Sequence, residues 1–212
     1  MSKTRILQEG QSYTFRSYFE MPYEAEEILA ELNYTLVRDR LTLPTSDRLL
    51  PGLPELKQRL EDALLFVSLS SEAARREALV FPVLLEVARF CQCQIRIEYP
   101  LSVNNWLKGN LDYLLRQEHN LLVVEAKNDD LTRGFTQLAV ELIALAQAEE
   151  KEVLYGAVTI GNVWNFGKLD FKELKIWQDI ALYRVPDDLE QLTRILIGII
   201  ASEAVNGGHC QG

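Results

Sequence analysis

The chain has 212 residues, 48% of them hydrophobic and 25% charged, with a formal net charge of −9. These values belong to a folded protein large enough for one domain and an appendage, and they exclude a disordered or collagen-like chain. Three cysteines are too few for a disulfide framework, no run approaches the length needed to cross a bilayer, and Met1-Ser2-Lys3-Thr4-Arg5 is followed by no apolar leader. The expectation is a cytoplasmic protein.

Residues 1–69 read as a helical and irregular N-terminal extension. Tyr23 to Leu32 is rich in Glu and Ala, which predicts a helix. Leu41 to Pro54 carries Pro44, Pro51, Pro54 and Gly52 and is expected to be irregular. A further helix is expected from Pro54 to about Phe66, with Leu56, Leu60, Leu64 and Leu65 at helical spacing. The sequence leaves open whether this region packs on the rest or makes a separate contact.

From Ser70 the order is regular. Ser70-Ser71-Glu72 opens a helix with an N-cap. An apolar stripe continues it through Leu79, Val80, Val83, Leu84, Val87 and Ala88, with a kink or a short break expected at Pro82. Cys91 and Cys93 follow as buried or partly buried thiols with no second Cys/His pair to suggest zinc. Ile95, Ile97 and Tyr99 alternate in a half-buried strand that Pro100 ends.

Two more strands are expected at Asn110–Leu115 and Leu121–Lys127, joined by the polar turn Arg116-Gln117-Glu118-His119-Asn120. A long helix runs from about Leu131 to Glu149, a buried strand from Val153 to Ile160, and a shorter strand from Ile180 to Arg184. The final helix runs from about Asp187 to Val205, and 206–212 should be a mobile tail. The economical packing is an α/β fold, a mixed sheet with helices on both faces.

The chemistry concentrates on the middle pair of strands. Side chains alternate along a strand, so Glu125 and Lys127 share one face while Val124 and Ala126 take the other. If the strands pair across the turn, Asp112 lies beside Glu125. Two adjacent carboxylates are each costly to ionise, and a divalent cation removes the conflict. Mg²⁺ takes one or two carboxylates, waters and substrate phosphate. The acid-x-Lys spacing alone carries little, since it recurs at Glu55/Lys57, Glu149/Lys151, Asp170/Lys172 and Glu173/Lys175. Only Glu125/Lys127 ends an apolar strand with an Asp-bearing strand just upstream.

This order, with Asp112 and Glu125-x-Lys127 on the second and third strands, resembles the PD-(D/E)XK, or restriction-endonuclease-like, nuclease superfamily over roughly residues 70–205. Ser71-Glu72-Ala73-Ala74-Arg75-Arg76, followed by Leu79-Val80 and Pro82-Val83-Leu84, looks more narrowly like the opening helix of type I restriction subunit nuclease domains. Glu98-Tyr99-Pro100 and Gly109-x-x-Asp112-Tyr113 continue the likeness; Leu111 departs from it where the family name has Pro. The resemblance implies an αβββαβ core and Mg²⁺- or Mn²⁺-dependent DNA cleavage. Asp112 and Glu125 would be metal ligands, Lys127 would stand near the attacking water, and Glu72 would be an auxiliary acid, with Glu77 and Glu86 competing for that role. Gln137 stands where many relatives carry a helical Gln, with Arg133 and Glu141 one turn away on the same face.

The −9 charge pulls the other way, because nucleic-acid affinity rests largely on Lys and Arg. Basic residues cluster locally (Lys108, Arg116, Arg133, Arg75 and Arg76 are candidates), or a partner supplies DNA binding, or the chain binds no nucleic acid. The alternative is a non-catalytic interaction module, for which the Ile195 to Ile200 stretch serves a dimer contact as easily as a core. A small-molecule enzyme has less behind it: there is no glycine-rich phosphate loop and no Ser nucleophile elbow, and of the two His, His119 lies in the turn and His209 in the tail. The three Trp are expected to pack the core or flank the cleft.

Overall fold

The computed structural model of the chain describes residues 5–118 and 120–201. Its core is one mixed sheet of eight strands with helices on both faces. The strands are β1 (Thr35–Asp39), β2 (Gln94–Ser102), β3 (Lys108–Gln117), β4 (Asn120–Ala126), β5 (Val153–Thr159), β6 (Val163–Asp170), β7 (Lys175–Asp179) and β8 (Tyr183–Arg184). They lie in the order β1-β7-β6-β5-β4-β3-β2, with β8 paired to β6. β1–β7 and β4–β5 are parallel, and the other pairs are antiparallel. β2 is therefore an edge.

Helices α1 (Phe15–Glu20), α2 (Ala25–Glu31) and α6 (Leu131–Glu149) cover one face. Helices α3 (Leu53–Phe66), α4 (Glu72–Arg75), α5 (Phe81–Cys91) and α7 (Leu189–Ala201) cover the other. Strand alternation sorts the core: Val124 and Ala126 pack toward α7, while Leu121 and Val123 pack toward α6. The first 69 residues enter both layers. β1 extends the sheet, Phe15, Tyr18 and Ile28 join the α6 layer, and Leu56 and Leu60 join the other.

Several expectations change in detail. α1 and β1 do not show in the sequence pattern, being only six and five residues long. The helix opened by Ser71, whose side chain accepts from the Ala74 N–H at 3.1 Å, does not simply kink. A π-helical turn, Arg76–Val80, connects α4 to α5, and Pro82 sits in the first turn of α5, where its missing N–H costs little. Pro100 does not end β2: it pairs with Asn110 on the edge strand, where a donor is dispensable.

The pairing of β3 and β4 extends into the expected turn, as far as Gln117 opposite Asn120. Residues 170–175, where the acid-x-Lys spacing recurs, form the hairpin between β6 and β7, and only Tyr183–Arg184 of the expected strand 180–184 is extended. Ile195 to Ile200 is core rather than a surface contact: Leu196 and Ile200 are fully buried. Cys91 and Cys93 are free, and burial pushes both thiols up to about 11. Trp164 is fully buried and donates its indole N–H to the Gly161 carbonyl. No helix among the described residues is long and apolar enough to cross a membrane. His119, His209, Cys210, the end of the last helix and the tail 206–212 lie outside the described residues.

Candidate metal centre

β4 is the best-buried strand of the sheet, with β3 and β5 alongside and α6 and α7 on its two faces. Glu125 stands near its end, on the α6 side, and is only 1% exposed. Lys127 follows directly after the strand; its backbone N–H still bonds to the Thr159 carbonyl of β5 at 2.8 Å. Asp112 on β3 reaches across, and its Oδ2 accepts the Ala126 N–H at 2.9 Å. The hairpin register thus sets both acids and the amine at one end of two paired strands.

The side chains interlock. Lys127 Nζ lies 2.5 Å from Glu125 Oε1. Gln137, one and a half turns into α6, donates its amide to Glu125 Oε1 at 2.6 Å and to Glu141 Oε1 at 2.8 Å. Arg76 Nη1 lies 3.3 Å from Asp112 Oδ1. A cleft of about 460 Å³ opens over this group, and Glu72, Asp112, Glu125, Lys127 and Gln137 all line it.

The charges are under strain. Burial, then the Asp112 charge, pushes the Glu125 carboxyl up to about 8, although Lys127 draws it down. Burial, then the Glu125 charge, pushes the Glu141 carboxyl well above its ordinary value. Burial also raises Asp112, against the pull of the Ala126 N–H and Arg76. For Lys127 burial works against the ammonium, but Glu125 outweighs it and the pKa rises. The pair does not shift symmetrically because Glu125 is closed off from water and faces other acids, while Lys127 faces only opposite charge.

The donor set fits a particular kind of cation. Glu125 Oε2, Gln137 Oε1 and Glu141 Oε2 are buried without a hydrogen-bond partner. Free oxygen acceptors beside two carboxylates suit a hard ion such as Mg²⁺. Among the described residues no group of three or more His, Cys, Asp or Glu is gathered to hold a metal. Asp112 and Glu125 are the two carboxylates that meet across β3 and β4 in the cleft, fewer than the ligands of a closed zinc site.

Other candidates separate. Glu86 pairs with Arg59 and Arg89 away from the cleft, and Glu77 lines a neighbouring hollow that also borders Arg76. Arg133 is half-exposed and pairs with Asp130, the N-cap of α6. Arg116 pairs with Glu149, and Arg75 donates to the Ile160 carbonyl; of the basic candidates only Arg76 lines the cleft. The sequence reading missed the wall formed by α1. Phe15, Arg16 and Phe19 line the cleft, and the Phe19 ring lies 4.9 Å from Lys127 Nζ. The only signal was the aromatic pattern Phe15, Tyr18, Phe19, too short to read as periodicity. No protein-family model matches the chain, and no curated protein matches it.

Proposed function

We propose that this protein is a metal-dependent nuclease that hydrolyses DNA phosphodiester bonds, built on the restriction-endonuclease-like plan of a helix, three strands, a helix and a strand. One observation carries the reading: Asp112, Glu125, Lys127, Gln137 and Glu72 come from four separate elements and the end of a strand, yet line one cleft. Asp112 and Glu125 would hold Mg²⁺ or Mn²⁺. Such an ion, when bound, polarises a phosphoryl oxygen and lowers the pKa of a water.

The chain's own groups do the rest. Lys127, ammonium-charged and next to Glu125, orients the attacking water and offsets charge growing on the phosphate. Gln137 fixes the Glu125 carboxylate through its amide. Glu141 shares the Gln137 amide with Glu125, and burial together with the Glu125 charge disfavours a third negative charge there. Glu72, half-buried at the start of α4, is placed as an auxiliary acid.

The test is cleavage of plasmid, single-stranded and branched DNA with Mg²⁺ or Mn²⁺. Asp112→Asn should lower the rate by about 10²-fold or more, since loss of even an outer partner of a metal ligand typically costs 10–100-fold. Equal activity of wild type and Asp112→Asn would exclude this site.

A second reading, a catalytically silent module that binds another protein, draws on the −9 charge and on the end of α3, where Leu65 and Phe66 are 75% and 81% exposed. Calorimetry that detects no Mn²⁺ binding would favour it.

A further inference from the structure

Arg76 is held by groups from β2 and β3, and both its own backbone and that of β2 are irregular where they meet. It is the first residue of the π-helical turn that interrupts the run 72–91, and such turns, rare in helices, re-aim the side chains they carry and concentrate at functional sites. Its guanidinium is mostly buried, with Nη1 2.7 Å from Glu98 Oε1 and 3.3 Å from Asp112 Oδ1. Nε donates to the Tyr113 hydroxyl, and the group lies over the Tyr113 ring at 5.1 Å.

Glu98 is the second irregularity. It sits in the middle of β2 with φ 51, a left-handed backbone that a non-glycine strand residue adopts only when something fixes it there. The ladder steps over it: Ile97 pairs with Tyr113 and Tyr99 with Leu111. The two distortions bring the Arg76 guanidinium and the Glu98 carboxylate together, beside Asp112.

We propose that Arg76 acts as a gate on metal loading: it occupies Asp112 in the absence of a divalent ion, and Glu98 is the acceptor to which it withdraws when the ion arrives. The inference rests on the metal-binding half of the function proposed above and is independent of hydrolysis. Asp112 Oδ2 is committed to the Ala126 N–H, so Oδ1 is the oxygen left for a ligand role, and Arg76 stands against it. A divalent ion there would meet a fixed positive charge within a few ångströms. The guanidinium has only to pivot, because its bond to Glu98 is already the shorter one. Glu98, about half exposed, can accept the whole charge without further burial. Arg76 is thus a positioning residue that acts through Asp112.

The experiment is Mn²⁺ titration by calorimetry and by electron paramagnetic resonance, without nucleic acid, on wild type, Arg76→Gln, Arg76→Lys, Glu98→Gln and the Arg76→Gln/Glu98→Gln pair. Melting curves run in parallel. Arg76→Gln should tighten Mn²⁺ binding by about tenfold, equivalent to 1.4 kcal/mol. Arg76→Lys should fall between it and wild type, because the charge remains but the fork is lost. Glu98→Gln should weaken binding several-fold, since Arg76 then leans on Asp112 alone. The double variant should resemble Arg76→Gln.

A merely structural role would move all variants in one direction. Arg76→Gln binding no better than a wild type that does bind Mn²⁺ overturns the gate and leaves the metal site standing. So does Glu98→Gln binding as well as wild type. If neither wild type nor Arg76→Gln binds Mn²⁺, both the gate and the metal reading fall.

Discussion

Replacing Glu125 by glutamine should stabilise the metal-free protein, and do so only as the pH rises. Glu125 is fully buried and its carboxyl is raised from 4.5 to about 8. Between those values the native state binds a proton that the unfolded chain has released, so stability falls as pH increases through the window. At pH 7 the cost integrates to about 3 kcal/mol, and at pH 5 to less than about 1 kcal/mol.

Glutamine has no such titration. Its carbonyl can still accept from Gln137 and Lys127, and its amide can turn toward the unpartnered oxygen of Glu141. Refitting an amide among Lys127, Gln137 and Glu141 takes back part of the gain, so the expected net is about 1–3 kcal/mol at pH 7 and none at pH 5. For a chain of this length that is a rise in melting temperature of roughly 2–10 °C at pH 7. Urea unfolding of both proteins from pH 5 to 7.5, with EDTA present, reads the difference, in which titrating groups away from this cluster cancel. A difference between the two proteins that stays constant over this range would refute the reasoning. So would a variant less stable than wild type at pH 7.

Two glycines give further tests. A Cβ at Gly198 of α7 would stand 2.5 Å from the Pro44 carbonyl oxygen and 2.6 Å from Thr45 N, both backbone atoms. Gly198→Ala should therefore lower stability by about 2 kcal/mol or more in denaturant titration, despite the better helix propensity of alanine. A Cβ at Gly134 of α6 would meet Val158 Cγ2 at 2.8 Å and Lys127 Cγ at 2.9 Å. Gly134→Ala should displace the Lys127 stem, so cleavage should fall about tenfold or more while stability changes by only about 1 kcal/mol, propensity offsetting strain.

The parts of the fold that could be read ahead of the structure are those whose periodicity extends over many residues. α6 has the expected limits, Leu131 to Glu149, because Asp130 caps it and its apolar stripe spans five turns. Period-two alternation along Leu121 to Lys127 correctly placed Glu125 and Lys127 on one face. β6 and β7 were lost because they carry Lys168, Asp170, Lys175 and Asp179, charges that resemble a connection unless the hairpin partner is known. Burial of Asp179 shows the same limit: besides the local Ala181 N–H, its carboxylate accepts the Leu41 N–H, a bond that only tertiary contact creates. At the site, Glu141 was noted as a neighbour of Gln137 on the helix face. That it is fully buried and joined to Glu125 through one amide depends on how closely α6 lies on β4, which spacing does not encode.

The position of the acids in the sheet explains why this cleft concentrates so much unfavourable charge. A carboxylate at a mobile loop would relax into water, and its pKa would stay ordinary. Glu125 cannot: β4 is clamped by strands on both edges and helices on both faces, and the strand residues before it are fully or almost fully buried. The apolar packing of Leu122, Val123 and Val124 holds the backbone, the β3 register holds Asp112 opposite, and α6 brings Gln137 and Glu141 down onto the carboxyl. Stability gathered along the strand thus sustains a cluster that would not assemble alone. It follows that core substitutions along β4 that loosen packing, such as Val123→Ala, should relieve the Glu125 shift as well as destabilise the protein.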